Sequence, residues 1–306
     1  MFDVKQSPSE GGKGPSTPPI CDYEGSTYRT DFWEGQGREY EDAVERLALK
    51  ALLPPTGKRL LDLGAGFGRL ASLYEGYEEV ILLDYSRSQL EYARERWGDE
   101  RFIYVAADLY RLPLAPNTIE TAVMVRVLHH LAEVPAALGQ IARVMRPEGT
   151  FVLEFANKRH LKNILRYLLR RGPNPFAPLP YEFSTLHFDF HPAWVEARLA
   201  EAGFAIVQRR SVSLLRHPWL KRHIPLSVLV AVDGFLQRPT AWLTLGPSQF
   251  VQTRLRKEGP AEWVPREHLF LCPSCGHWPL EIADRGAHCT ACGAFWPREN
   301  GIWVFK

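Results

Sequence analysis

Residues 59–70 read RLLDLGAGFGRL. The apolar run Leu60, Leu61 and Leu63 suits a strand buried on both faces, since alternation disappears when neither face meets water. Gly64, Gly66 and Gly68 follow at alternate positions. Lacking a Cβ, they let the backbone turn tightly and come close to a ligand. Arg69 to Leu73 then reads as the start of a helix. Strand, glycine turn and helix make the opening unit of a nucleotide-binding α/β sheet. Three glycines alone would also fit a plain turn in some other α/β protein.

Acids downstream narrow the choice. EEVILLDYS, residues 78–86, reads as a second buried strand, Val80 to Leu83, ending at Asp84. That acid follows Gly64 by 20 residues, where a carboxylate can accept both hydroxyls of a ribose. RFIYVAADLYRLPL, residues 101–114, carries a third strand from Phe102 to Ala106, passes Ala107 and meets Asp108. An acid there can accept an exocyclic amino proton from an adenine. Taken singly, each acid also fits a helix N-cap or a turn. With Asp62 they make three acids at or near the ends of successive strands.

Two later stretches complete a series: VLHHL at 127–131 and RVMRPEGTFVLEF at 143–155. With LLDLGAGFG, LLDYS and AADLYRLPL they occur in the order of a known family. Over roughly residues 20–210 the chain resembles the class I S-adenosylmethionine-dependent methyltransferases, in the broad group that includes the ubiquinone and menaquinone biosynthesis enzymes. A nicotinamide dinucleotide fold shares only the first two motifs and wants its third glycine where Arg69 stands. The resemblance implies an α/β fold with a Rossmann-like doubly wound sheet. It implies S-adenosylmethionine as cofactor, held by Asp62, Gly64, Ala65, Gly66, Gly68, Asp84, Tyr85, Ala107, Asp108, Leu109 and Arg126.

Ile119 to Val127 reads as the fourth strand, and by the resemblance its end sets Arg126 and Val127 beside the cofactor. His129 and His130 follow. A histidine here could orient an acceptor or take its proton, and His130 is the candidate base; local packing or capping is the competing reading. Residues 134–146 read as a helix, and Gly149 as the turn into a fifth strand, Thr150 to Phe155.

Residues 1–20, rich in Ser, Pro, Gly and Lys, read as a disordered tail. Residues 21–40 carry Tyr23, Tyr28, Phe32, Trp33 and Tyr40, and a helix spans about Glu39 to Leu53. In the family this leader folds over cofactor and acceptor; simple packing onto the sheet would need the same aromatics. The methyltransferase unit is placed at 21–260, with an insertion at about 217–250 whose PWLKRHIPLSVLVAVDGFL looks helical and very apolar.

Charge is uneven. The net charge is +2, yet residues 151–260 hold 16 Lys and Arg against 7 Asp and Glu. That asymmetry fits an anionic partner. KRHLKNILRYLLRR, residues 158–171, sets Leu161, Ile164, Leu165 and Leu168 on one helical face. Such a basic amphipathic helix suits peripheral contact with a membrane, or RNA phosphates. An ordinary surface helix with a solvated basic face has the same pattern. Residues 173–192, rich in Pro and Phe, suggest an acceptor lid.

Four of the five cysteines cluster near the C-terminus, which points to metal rather than disulfides and to a reducing cytoplasm. Cys272-x-x-Cys275 and Cys289-x-x-Cys292 can close a tetrahedron around zinc, leaving no open position, so the metal is expected to be structural. Residues 266–306 are therefore placed as a small, separate C-terminal zinc-ribbon module. FWPRENGIWVF resembles the small zinc ribbons that partner certain tRNA and release-factor methyltransferases. No signal peptide is visible, and no apolar run reaches the ~18 residues of a transmembrane segment. A small-molecule or lipid-like acceptor is the favoured reading. A tRNA or rRNA acceptor, or a non-catalytic cofactor-binding protein, are its rivals.

Overall fold

The computed structural model describes residues 18–27, 29–33, 35–98, 100–259 and 262–306. Tyr28 and most of the expected tail, residues 1–17, lie outside these. A short helical turn at Arg29–Trp33 precedes α1 (Glu39–Leu52), β1 (Gly57–Leu63), β2 (Tyr77–Asp84), α2 (Arg87–Trp97) and β3 (Phe102–Ala107). There follow β4 (Ile119–Met124), α3 (Val134–Val144), β5 (Met145–Ala156), α4 (Leu161–Leu168) and the hairpin β6 (Tyr181–Ser184) and β7 (His187–Asp189). Then come α5 (Pro192–Glu201), β8 (Phe204–Val212), α6 (Pro218–His223), α7 (Leu226–Leu236) and β9 (Ser248–Leu255). The chain closes with β10 (Glu281–Ala283), β11 (Gly286–His288), β12 (Phe295–Glu299) and β13 (Ile302–Phe305).

All the strands but the β6–β7 hairpin join one sheet, in the order β10-β11-β12-β13-β3-β2-β1-β4-β5-β9-β8. From β13 to β5 the pairing is parallel, and β9 runs antiparallel to both β5 and β8. The doubly wound α/β arrangement read from the sequence is therefore present. Alternate residues of the central strands serve two cores. Leu61, Leu63, Ile81 and Leu83 pack on one face with α3 and α5. Leu60, Val80 and Leu82 pack on the other with α1 and α2. This is why β1 and β2 read as unbroken apolar runs.

Local sequence explains the helix ends. The Ser86 hydroxyl accepts the Gln89 N–H at 3.4 Å and starts α2. Several boundaries differ from expectation. The helix anticipated at Arg69–Leu73 is only a 3-10 turn, Ala71–Tyr74, because the chain must re-enter the sheet at Tyr77. The fourth strand stops at Met124, since Arg126 takes a left-handed backbone with φ 60°. Gly149 lies inside β5, not in a turn before it. The 173–192 segment folds partly into the β6–β7 hairpin.

Residues 266–306 begin as their own small set of strands, but β13 continues the main sheet. Ile302 to Phe305 pair in parallel with Tyr104 to Ala107 of β3. Trp303 and Phe305 join the same buried cluster as Leu61 and Ile103. Among the described residues no helix is long and apolar enough to cross a membrane.

Candidate functional site

The strand order reverses between β2 and β4 on either side of β1, and a crevice opens at the carboxyl ends there. Counted with its open mouth, its space is about 790 Å³. Gly64, Gly66, Asp84, Tyr85, Asp108, Leu109, Arg126 and His130 all line it. A smaller recess on the other side of the glycine turn adds Asp62 and Ala65, and shares Gly64, Gly66 and Arg126. Gly68 and Ala107 line neither. Ala107 lies in the core, and the Gly68 carbonyl accepts the Trp97 indole N–H at 3.1 Å, tying the turn to α2.

The two leading glycines are required for different reasons. At Gly64 a Cβ would stand 2.2 Å from Val127 Cγ2. At Gly66 it would meet nothing within 4 Å, so the space beside the backbone is open for a ligand. Both have positive φ, 72° and 52°, a conformation L side chains resist. Asp84 Oδ2 accepts the Gly66 N–H, and Oδ1 accepts the Ser86 N–H, each at 2.8 Å. Burial outweighs these two bonds and pushes the Asp84 carboxyl up to about 6. Asp108 accepts the Tyr110 N–H at 2.8 Å, and burial raises it too. Asp62 is deeper: it accepts from the Tyr74 hydroxyl at 2.9 Å, and burial pushes it up to about 7.

Arg126 does not extend freely into the crevice. Its Nε donates to Glu45 Oε1 at 2.8 Å, and its backbone N–H to Glu154 Oε2 at 2.8 Å. Arg69 holds the other oxygen of Glu45 at 2.8 Å. Burial alone would raise the Glu45 carboxyl, but Arg126 and Arg69 win, and it lies below its ordinary range. Both guanidinium groups lie over the Trp33 ring, at 3.9 and 5.0 Å. Glu45 was not legible as a site residue; its helical spacing gives it only as one more acid on α1.

His130 lines the same crevice. Its Nδ1 is 3.1 Å from the Leu186 carbonyl, which can only accept, so Nδ1 carries the proton. Nε2 is then a bare acceptor, 3.3 Å from the Tyr23 hydroxyl. Burial, aided by the neighbouring His187, lowers the imidazole to about 4 and keeps it neutral. His129 and His187 pack on it, with ring centroids at 3.9 and 4.7 Å. Tyr23 and Leu186 come from the leader and the β6–β7 hairpin, which no local pattern connects to His130.

The C-terminal segment, residues 266–306, reaches the crevice from the β3 side. The Lys306 ammonium sits 4.2 Å over the Tyr85 ring and 3.6 Å from Glu24. Glu24 in turn accepts the Arg87 and Ser88 N–H groups. In that segment, the four sulfurs of Cys272, Cys275, Cys289 and Cys292 lie within 4.8 Å of one another, with pairs at 3.7 and 3.5 Å. A tetrahedron with metal–sulfur bonds of about 2.3 Å has edges near ~3.8 Å, so the set fits zinc.

Known proteins share the chain's family and fold. The methyltransferase domain family matches residues 61–153. A demethylmenaquinone methyltransferase of Clavibacter sepedonicus is 33% identical over 186 residues, 56% of this chain and 76% of that one. A 27-O-demethylrifamycin SV methyltransferase of Amycolatopsis mediterranei is 30% identical over 161 residues, 49% of this chain; the chain spans 59% of that relative's length. Among solved structures, an S-adenosylmethionine-dependent methyltransferase from Mesorhizobium loti shares the fold with a TM-score of 0.53 at 21% identity, over 70% of this chain and 99% of that one.

Proposed function

The chain belongs to the S-adenosylmethionine-dependent methyltransferases, and on that premise we propose that it methylates a small-molecule or lipid-like acceptor held against His130. One observation carries the reading. One crevice is lined both by the strand-end carboxylates Asp84 and Asp108 and by His130, an uncharged histidine whose unprotonated Nε2 now accepts only from a hydroxyl. The relatives named for demethylmenaquinone and demethylrifamycin make a small-molecule acceptor the natural class.

S-adenosylmethionine, when bound, supplies a methyl carbon made electrophilic by its sulfonium. The protein's share is alignment and proton handling. Asp84 would accept from the ribose hydroxyls and Asp108 from the adenine amino group. Gly66 would let that ligand lie against the backbone. His130 Nε2 would take the proton of an acceptor hydroxyl, exchanging its present bond to Tyr23. The Leu186 carbonyl would hold the tautomer throughout. We also assign a structural zinc to Cys272, Cys275, Cys289 and Cys292, where it would close a four-sulfur tetrahedron.

Labelled S-adenosylmethionine added with cell extract, then fractionated into lipid, RNA and protein, tests the reading. Label in the lipid or small-molecule fraction supports it. Label in RNA would move the acceptor to tRNA or rRNA. Calorimetric cofactor binding with no transfer to any fraction would leave a cofactor-binding protein without catalysis.

A further inference from the structure

α4 carries an apolar stripe that the fold does not use. Leu161, Leu165 and Leu168 fall on one side of the helix, as spacings of four and three residues require. An ordinary surface helix turns such a stripe inward. Here none of the helix is buried, and Leu165 and Leu168 are 51% and 68% exposed. The patch continues beyond the helix. The Leu161 N–H donates to the Leu245 carbonyl, which sets the Trp242–Leu243 turn beside the start of α4. Trp242 there is 89% exposed. Tyr167 meets Phe176 edge to face at 6.0 Å, and the Lys158 ammonium donates to the Leu179 carbonyl, so the following loop lies against the same helix.

We propose that this surface docks on an anionic lipid bilayer. The occupant follows from charge. Between Glu154 and Glu182 the chain has no acid, but it has Lys158, Arg159, Lys162, Arg166, Arg170 and Arg171. Exposed leucines and aromatics among cations match the interface of a bilayer with anionic headgroups, where apolar side chains enter the acyl boundary and cations meet phosphates. A second copy of the chain would bring the same cations face to face. RNA would leave the leucines and Trp242 without an apolar partner. The position also suits the reaction. Phe183 stacks edge-on against His187 at 5.9 Å, and His187 rests on His130, so the hairpin joins this face to the crevice. The docking goes beyond the proposed reaction and does not depend on it.

The full chain is sedimented with phosphatidylcholine vesicles containing about a third phosphatidylglycerol, and with phosphatidylcholine alone. Two variants are compared: Leu165→Ser/Leu168→Ser/Leu169→Ser and Arg166→Gln/Arg170→Gln/Arg171→Gln. Their side chains are exposed, and calorimetry with S-adenosylmethionine reports that the fold and crevice persist. Binding to anionic vesicles at least about tenfold tighter than to neutral ones, and a loss of about tenfold or more in each variant, is the expected result. A wild-type chain left in the supernatant overturns the proposal, as do variants that bind vesicles like the wild type. A dimer dissolved by the leucine variant, or salt-sensitive RNA binding, with no vesicle binding in either case, assigns the surface to those partners instead. Failure of the methyltransferase reading would appear separately, as a wild-type chain that does not bind the cofactor.

Discussion

Cys272 and Cys289 are fully buried, and Trp303 and Phe305 sit in the core against Phe270 at 4.9 Å. Leu165 and Leu168, equally apolar, stand in the open. Both regions are additions to one parallel sheet. The C-terminal four-cysteine segment found a strand edge: β3 offers unpaired backbone groups, and β13 satisfies them. α4 has no edge to take, and the faces of the sheet beside it are already covered by α5 and the α1–α7 pair. Apolar content therefore does not decide burial. An available surface decides it.

The largest expected effect breaks this comparison on the ribbon side. One zinc per chain is expected, bound with an apparent free energy of about 10–16 kcal/mol that is also folding free energy. Read as a separate module, the ribbon alone would unfold on chelation. Because β13 is hydrogen-bonded to β3 and Lys306 rests on Tyr85, chelation is expected also to weaken cofactor binding by about tenfold, measured by calorimetry. Full affinity in the chelated protein would make the ribbon a passenger, and metal analysis finding no zinc would remove the site.

Next is the wall built with the β6–β7 hairpin. His130→Ala is expected to slow methyl transfer to a hydroxyl acceptor by about 10²–10⁴-fold with cofactor affinity kept. Tyr23→Phe is expected to cost much less, since it removes a present partner of Nε2 and leaves the nitrogen itself in place. An unchanged rate in His130→Ala would leave the histidine a packing residue.

Asp84 sharpens the contrast from the ribbon side. Asp84→Ala is expected to weaken S-adenosylmethionine binding by about 1.5–3 kcal/mol, as for hydrogen bonds to a charged group. Its carboxyl titrates at about 6. The ionised form is the better acceptor, so affinity is expected to fall as pH drops through that value, and to lose this dependence in Asp84→Asn. For stability the sign is opposite. A carboxyl raised by burial favours the folded state below its ordinary pKa of about 4, and that contribution is lost as pH rises through 6. A flat calorimetric profile between pH 5 and about 7.5 would separate Asp84 from cofactor binding.

The smallest effect is at the seam between ribbon and α2. Arg87 pairs with Glu299, but both side chains are well exposed. Arg87→Gln is expected to change thermal stability by less than about 1 kcal/mol. A larger loss would mean that the seam depends on this pair more than on β13 and its buried rings.

The glycine-turn half of the crevice was legible because its pattern is local. Gly64, Gly66, Asp84 and Asp108 follow strands whose burial shows as apolar runs, and a parallel sheet aligns their ends. The other half was not. His130 is visible as a histidine, but its tautomer depends on Leu186 and its second partner is Tyr23, respectively 56 and 107 residues away. Arg126 could be placed at a strand end, yet Glu45, which holds it, lies 81 residues earlier. Hydrogen bonds across such separations leave no periodicity to read.

By itself, the sequence determined the doubly wound sheet, the glycine turn with its carboxylates, and the four-cysteine cluster. Each rests on short-range rules: strand burial on two faces, backbone freedom without a Cβ, and the spacing of two knuckles. Only the tertiary structure decided that β13 would join β3 and that α4 would keep its leucines exposed. Both outcomes depend on which edges and faces remain uncovered once the rest of the chain has packed, and that is a property of the assembled sheet rather than of either segment.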